Sequence, residues 1–146
     1  MLTGPPIDHV ALAVRDTASA LRLYVDILGL QAGPTVTAPG EGLRVTFLSG
    51  PAGRLEILEP LDADSPVGRF LERRGEGLHH LCFRVPDLGA ALARLAAAGY
   101  QIVDERPRRG LDGRPAAFVH PRSAGGVLIE LYQDDPGPRA GEGDDE

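Results

Sequence analysis

The feature that most constrains this chain is that it repeats itself. A shift of 71 residues lays His9-Val10-Ala11-Leu12-Ala13-Val14-Arg15-Asp16 on His80-Leu81-Cys82-Phe83-Arg84-Val85-Pro86-Asp87, with His, Val and Asp at matching offsets. The match continues with Ala20-Leu21 on Ala91-Leu92. Self-similarity of this kind marks a duplicated supersecondary unit that cannot bury its apolar face alone. Each segment reads as a short strand, an Asp N-cap and a helix. At helical spacing Ala20, Leu21, Tyr24, Ile27 and Leu28 share one face of the first helix, and Leu88, Ala91, Leu92, Leu95 and Gly99 share one face of the second. Gly29 and Gly99 terminate them.

Three strands are expected after each helix: 32–38, 43–48 and 54–59 in the first half, and 101–105, 116–120 and 127–133 in the second. Turn residues separate them at Pro39-Gly40, Gly50-Pro51 with Gly53, Gly110 to Gly113, and Gly125-Gly126. A linker helix over 64–74 joins the halves, its start Asp64-Ser65-Pro66 supplying a cap followed by Pro at an early helical position. The predicted fold class is α+β, two paired βαβββ modules forming one domain over 1–133, with repeat 1 at about 5–60 and repeat 2 at about 77–133.

Charge separates that domain from its tail. The net charge is −6, yet residues 134–146 hold six acids and one Arg, leaving the other 133 residues with 15 acids and 14 Arg. The tail, rich in Gly, Pro and acid, is expected to be disordered. The body is close to neutral and shows no basic run, which argues against nucleic-acid binding. Every cation is Arg, so Schiff-base or general-base lysine chemistry is excluded. Cys82 is the only cysteine, which excludes an intrachain disulfide and a cysteine zinc cluster. No stretch approaches the roughly 20 apolar residues needed to cross a bilayer, and the N-terminus does not read as a signal peptide. The expected setting is therefore the cytoplasm, without a membrane partner.

Four polar residues interrupt apolar strands. His9 shares a strand face with Ala11 and Ala13, and His80 with Cys82 and Arg84. Glu56 lies within Leu55-Glu56-Ile57-Leu58 and Glu130 within Val127-Leu128-Ile129-Glu130-Leu131. A single strand His is ordinarily a hydrogen-bonded structural residue, and a single strand Glu ordinarily faces water. Two of each, at matching places in two repeats, point instead to a ligand set. A carboxylate in an apolar run is costly to bury unless its charge is compensated. Two imidazoles and two carboxylates suit a divalent ion such as Co²⁺, Mn²⁺, Zn²⁺ or Ni²⁺. Other candidates read as structural. His79 points to the opposite face from His80, His120 ends a strand, Cys82 packs, and Glu72-Arg73-Arg74 is a solvated helix end.

The repeat and these four residues resemble the vicinal oxygen chelate superfamily, which includes glyoxalases and extradiol dioxygenases. Within it, Ile7-Asp8-His9-Val10-Ala11, Leu58-Glu59-Pro60-Leu61 with Asp64-Ser65-Pro66, Gly77-Leu78-His79-His80 and the stretch from His120 to Leu131 resemble the methylmalonyl-CoA epimerase family, over about residues 5 to 133. The resemblance implies strands curled around one metal, Co²⁺ foremost, held by His9, Glu56, His80 and Glu130. Some members carry Gln where Glu56 stands. It also implies a CoA-thioester substrate, a homodimer, and Glu130 as a catalytic acid–base. Some members place a second carboxylate on the third strand of the first half. Here that strand reads Gly42-Leu43-Arg44-Val45-Thr46-Phe47 and departs from the pattern, leaving Glu56, water or an unidentified group for the second proton. A glyoxalase-type lyase or isomerase on another carbonyl substrate, or a binding protein of this fold, are the alternatives.

Overall fold

The computed structural model describes residues 4–51, 53–103 and 106–134; the tail beyond Asp134 lies outside the described residues. In chain order the elements are β1 (Ile7–Ala13), α1 (Thr17–Leu21), a π-helical stretch (Arg22–Ile27), β2 (Gln31–Ala38), β3 (Leu43–Gly50), β4 (Gly53–Pro60), α2 (Pro66–Arg74), β5 (Gly77–Val85), α3 (Leu88–Ala97), β6 (Arg108–Arg109), β7 (Pro115–Val119) and β8 (Leu128–Gln133). This is βαβββ twice with α2 between, the class that the repeat predicts. The caps are those expected. Asp16, Ser65 and Asp87 accept hydrogen bonds from the backbone N–H groups of Ala18, Gly68 and Ala90, and Gly29 and Gly99 leave the helices at φ of 82° and 91°.

The described residues form two compact units, one within 7–82 and the other within 4–6 and 83–134. The division falls inside β5, so the opening of the second repeat, including His80, belongs to the first unit. In that unit β2, β3, β4, β1 and the start of β5 follow one another in that order. β1 runs parallel to β4 with Ala11 opposite Glu56, and β3 runs antiparallel to β4 with Phe47 opposite Glu56. Opposed residues share a face, as do alternate residues along a strand. His9, Ala11, Ala13, Glu56, Leu58, Val45, Leu43 and Phe47 therefore line one side. Ala11, Ala13, Leu43, Val45 and Leu58 form the core there with Val67 and Leu71 of α2. Gly68 lets α2 approach, since a Cβ at this position would lie 2.7 Å from the carbonyl oxygen of Ala63.

The first helix departs from its expected packing. After Leu21 the chain widens into the π-helical stretch, where the 3.6-residue spacing that aligned Tyr24, Ile27 and Leu28 no longer holds. Ile27 is 75% and Leu28 60% exposed.

In the second unit the end of β5, then β8, β7 and β6 follow in order. β7 and β8 are antiparallel with Phe118 opposite Glu130, the same Phe–Glu pairing as in the first half. Here the helix prediction holds, with Leu88 buried and Ala91, Leu92 and Leu95 packed against Val85, Ala117 and Leu131. Of the strand expected over 101–105, residues 104 and 105 lie outside the described residues, while residues 101–103 run antiparallel beside β7: Ile102 bridges Val119, the Val103 N–H donates to the Phe118 carbonyl and the His120 N–H to the Gln101 carbonyl. The short strand Arg108–Arg109 also pairs with β7.

Candidate metal centre

Three of the four sequence-selected residues converge within the first unit. His9 (4% exposed) sits on β1, Glu56 (7%) on β4 and His80 (7%) on β5. One ligand atom from each lies within 4.8 Å of the other two. The two Nε2 atoms are 3.2 Å apart, with the rings set edge to face. His9 Nε2 also abuts Glu56 Oε2. That oxygen is buried and accepts no hydrogen bond among the described residues. An ionised carboxylate oxygen without a donor is expensive to bury, and a cation compensates it directly. The donor set, two imidazole nitrogens and a carboxylate oxygen, fits a borderline divalent ion.

Burial disfavours the charged form of His79 and His80. It pushes His80 down to about 2, with repulsion from His79 and His9 adding to the effect, and His79 down to about 4. Both rings are therefore neutral at pH 7, and the neutral imidazole is the form that binds metal.

Glu130 lies in the second unit, on β8. It is 7% exposed and faces Phe118 across the ladder, as Glu56 faces Phe47. Glu56 and Glu130 are 74 residues apart rather than 71 because the β7–β8 connection is longer. Gly50 pairs with Gly53 across a tight turn in the first half, whereas the second half inserts a helical turn over Pro121–Ser123. β3 carries no carboxylate. Its buried polar residue is Thr46, hydrogen-bonded to Thr35 at 2.9 Å.

His120 caps the turn that follows it, accepting from the Arg122 N–H at 3.0 Å. Arg73 and Arg74 end α2, and Arg74 lies 5.8 Å over the Phe70 ring. Cys82 is fully buried. His79 packs edge to face on Phe70, and its Nδ1 is 2.8 Å from His80 Nδ1.

Two further residues escaped the sequence reading. Asp8 Oδ2 accepts from His9 Nδ1 and from Arg54 Nη2, each at 2.7 Å. Burial alone would raise the Asp8 carboxyl, but the His9 hydrogen bond and the Arg54 guanidinium outweigh it and hold it below its ordinary value. The available signal was an Asp directly preceding a candidate ligand. Alternation argued against it. Asp8, His9 and Cys82 form a second close group, but the proton that His9 donates to Asp8 occupies Nδ1 and leaves Nε2 as the ligand atom.

Known proteins resemble this chain in sequence and in fold. Residues 8–118 match the family model of the Glyoxalase/Bleomycin resistance protein/Dioxygenase superfamily. The chain is 38% identical over 129 residues to the ethylmalonyl-CoA/methylmalonyl-CoA epimerase of Cereibacter sphaeroides, covering 87% of this chain and 96% of that protein. The crystal structure of methylmalonyl-CoA epimerase from Mycobacterium tuberculosis superposes with a TM-score of 0.84 at 38% identity, over 94% of each chain. A methylmalonyl-CoA epimerase in complex with methylmalonyl-CoA and NH4+ superposes with a TM-score of 0.80 at 33% identity, over 89% of this chain and 94% of that one.

Proposed function

The chain belongs to the Glyoxalase/Bleomycin resistance protein/Dioxygenase superfamily, and from that premise we propose that it is a metal-dependent epimerase interconverting (2R)- and (2S)-methylmalonyl-CoA. The observation that carries this reading is the convergence of His9, Glu56 and His80 around a buried carboxylate oxygen that accepts no hydrogen bond among the described residues. In this proposal Glu130 is the fourth ligand. Co²⁺ is the first choice of ion, with Mn²⁺, Zn²⁺ and Ni²⁺ behind it. The proposal carries with it a homodimer working in the cytoplasm.

The α-hydrogen of the substrate lies between a thioester and a carboxylate. When bound, a divalent ion supplies Lewis acidity toward the negative charge left after proton loss. The protein's own residues do the rest. Epimerisation needs a proton removed from one face and returned on the other, hence two acid–base groups. Glu130 is assigned one of these roles. β3 offers no acid, so the second role is left to Glu56, to water or to a group not yet identified. The near-neutral body admits a polyanionic CoA ester without strong repulsion.

The test is proton exchange in deuterated water. Protein loaded with Co²⁺ is expected to exchange the α-proton of methylmalonyl-CoA. Metal-loaded protein that leaves that proton in place refutes the epimerase reading and favours a glyoxalase-type reaction.

A further inference from the structure

The geometry points to Asp8, braced by Arg54, as the positioning residue for His9: we propose that this carboxylate keeps the His9 proton on Nδ1 and so presents a bare Nε2 to the metal. The inference rests on the reading of the centre as a metal site and adds to it a residue that touches neither metal nor substrate.

The two histidines are held differently. His9 Nδ1 faces Asp8 Oδ2 at 2.7 Å, and the same oxygen accepts from Arg54 Nη2 at 2.7 Å. An ionised carboxylate can only accept, so the ring nitrogen opposite it must carry the proton. With the proton held there, the lone pair of the neutral ring, the form that binds a metal, lies on Nε2, the atom against Glu56 Oε2 and His80 Nε2. His80 has a different partner at the equivalent nitrogen. His79 Nδ1, 2.8 Å away, belongs to an imidazole that either donates or accepts, so it does not dictate the His80 tautomer.

Arg54 makes the Asp8 contact rigid. The Asp8 side chain is only 9% exposed, whereas Arg54 reaches in from a position 54% exposed. Its guanidinium neutralises a carboxylate that would otherwise be costly at this depth, and it fixes which oxygen faces the ring. A carboxylate behind a ligating imidazole fixes ring orientation and raises ligand basicity, and losing such a partner typically costs about 10- to 100-fold in metal affinity.

The experiment uses the full chain and two readouts. The first is the ¹⁵N NMR signature of the His9 ring in metal-free protein; the second is Co²⁺ affinity by chelator competition. Wild type is expected to show protonated Nδ1 and bare Nε2. Asp8→Ala is expected to shift His9 toward the Nε2-protonated form and weaken Co²⁺ binding about 10- to 100-fold. Asp8→Asn, whose amide oxygen still accepts, should keep the tautomer and recover part of the affinity. An unchanged tautomer and an unchanged affinity in folded Asp8→Ala overturn the proposal. If Asp8→Ala fails to fold, Asp8→Leu, which fills the space without offering an acceptor, replaces it; a tautomer and affinity unmoved there are equally fatal. If wild-type protein binds no Co²⁺, the metal reading fails, while the NMR comparison still decides the role of Asp8.

Discussion

The two repeats agree in their strands and disagree in their helices. Glu56 stands opposite Phe47 and Glu130 opposite Phe118, so the register around each carboxylate survives a three-residue difference in the connecting turn. After β5, α3 packs Leu88 into a core; after β1, the corresponding segment loosens into a π-helical stretch and leaves Ile27 and Leu28 exposed. Ladder hydrogen bonds impose strand equivalence residue by residue, and a one-residue slip would turn every side chain to the wrong face. Nothing comparable ties a helix to its counterpart. Its face is decided by what packs against it.

The largest expected effect tests whether the two carboxylates are equivalent. Glu130→Gln should lower α-proton exchange about 10²- to 10⁴-fold, the usual span for removing a general acid–base. Glu56→Gln should bind Co²⁺ more weakly yet retain more exchange. Equal losses in both variants would show that the halves share the proton work, and steady-state exchange rates in deuterated water make the distinction.

A smaller difference is expected between the two helices. Leu88→Ala should destabilise by about 2–5 kcal/mol, as large-to-small changes in a packed core do. Ile27→Ala should stay within about 0.5 kcal/mol, being on an exposed face. Urea unfolding midpoints compare them, and a substantial cost at Ile27 would mean that the first helix packs as its sequence pattern suggests.

Metal should stabilise the protein through the three converging residues. At about 100 times its dissociation constant, Co²⁺ should raise stability by about 2.7 kcal/mol. In His80→Ala that increment should vanish while the far-ultraviolet circular dichroism persists. Retained metal stoichiometry in this variant would refute the ligand assignment.

The mildest effect concerns acid. Burial pushes His79 down to about 4 and His80 down to about 2, from an ordinary 6.5. Below pH 6.5 the unfolded chain takes up protons that the folded chain refuses, so stability of the metal-free protein should fall as pH drops from 6.5 toward 4. His79→Phe should flatten that decline, since Phe can still pack on Phe70 and has no proton to bind. Thermal midpoints between pH 4 and 7 measure it, and identical slopes in both proteins would contradict neutral burial of His79.

Much of this was legible in the chain. Alternation placed His9 with Ala11 and Ala13, and all three are buried on one face. Asp16, Asp64-Ser65-Pro66 and Asp87 signalled their helix starts because an N-cap is a local event, complete within three residues. The ligand candidates stood out because carboxylates and imidazoles inside apolar strands demand an explanation. The Asp8–His9 and His79–His80 contacts were hidden by the same alternation rule, which describes where Cβ points and not where a longer side chain bends.

The sequence by itself determined the duplicated strand–helix pattern, the caps and the identity of the polar residues that a cation would need. All of these depend on neighbours a few positions away. The tertiary structure decided that β5 divides between the two units and carries His80 beside His9 and Glu56. It also decided that Asp8 leans back onto its neighbour under the hold of Arg54, and that the first helix unwinds. Each of these turns on contacts between residues far apart in the chain, 71 positions in the case of His9 and His80. Such contacts form only when the ladders have set the strands side by side.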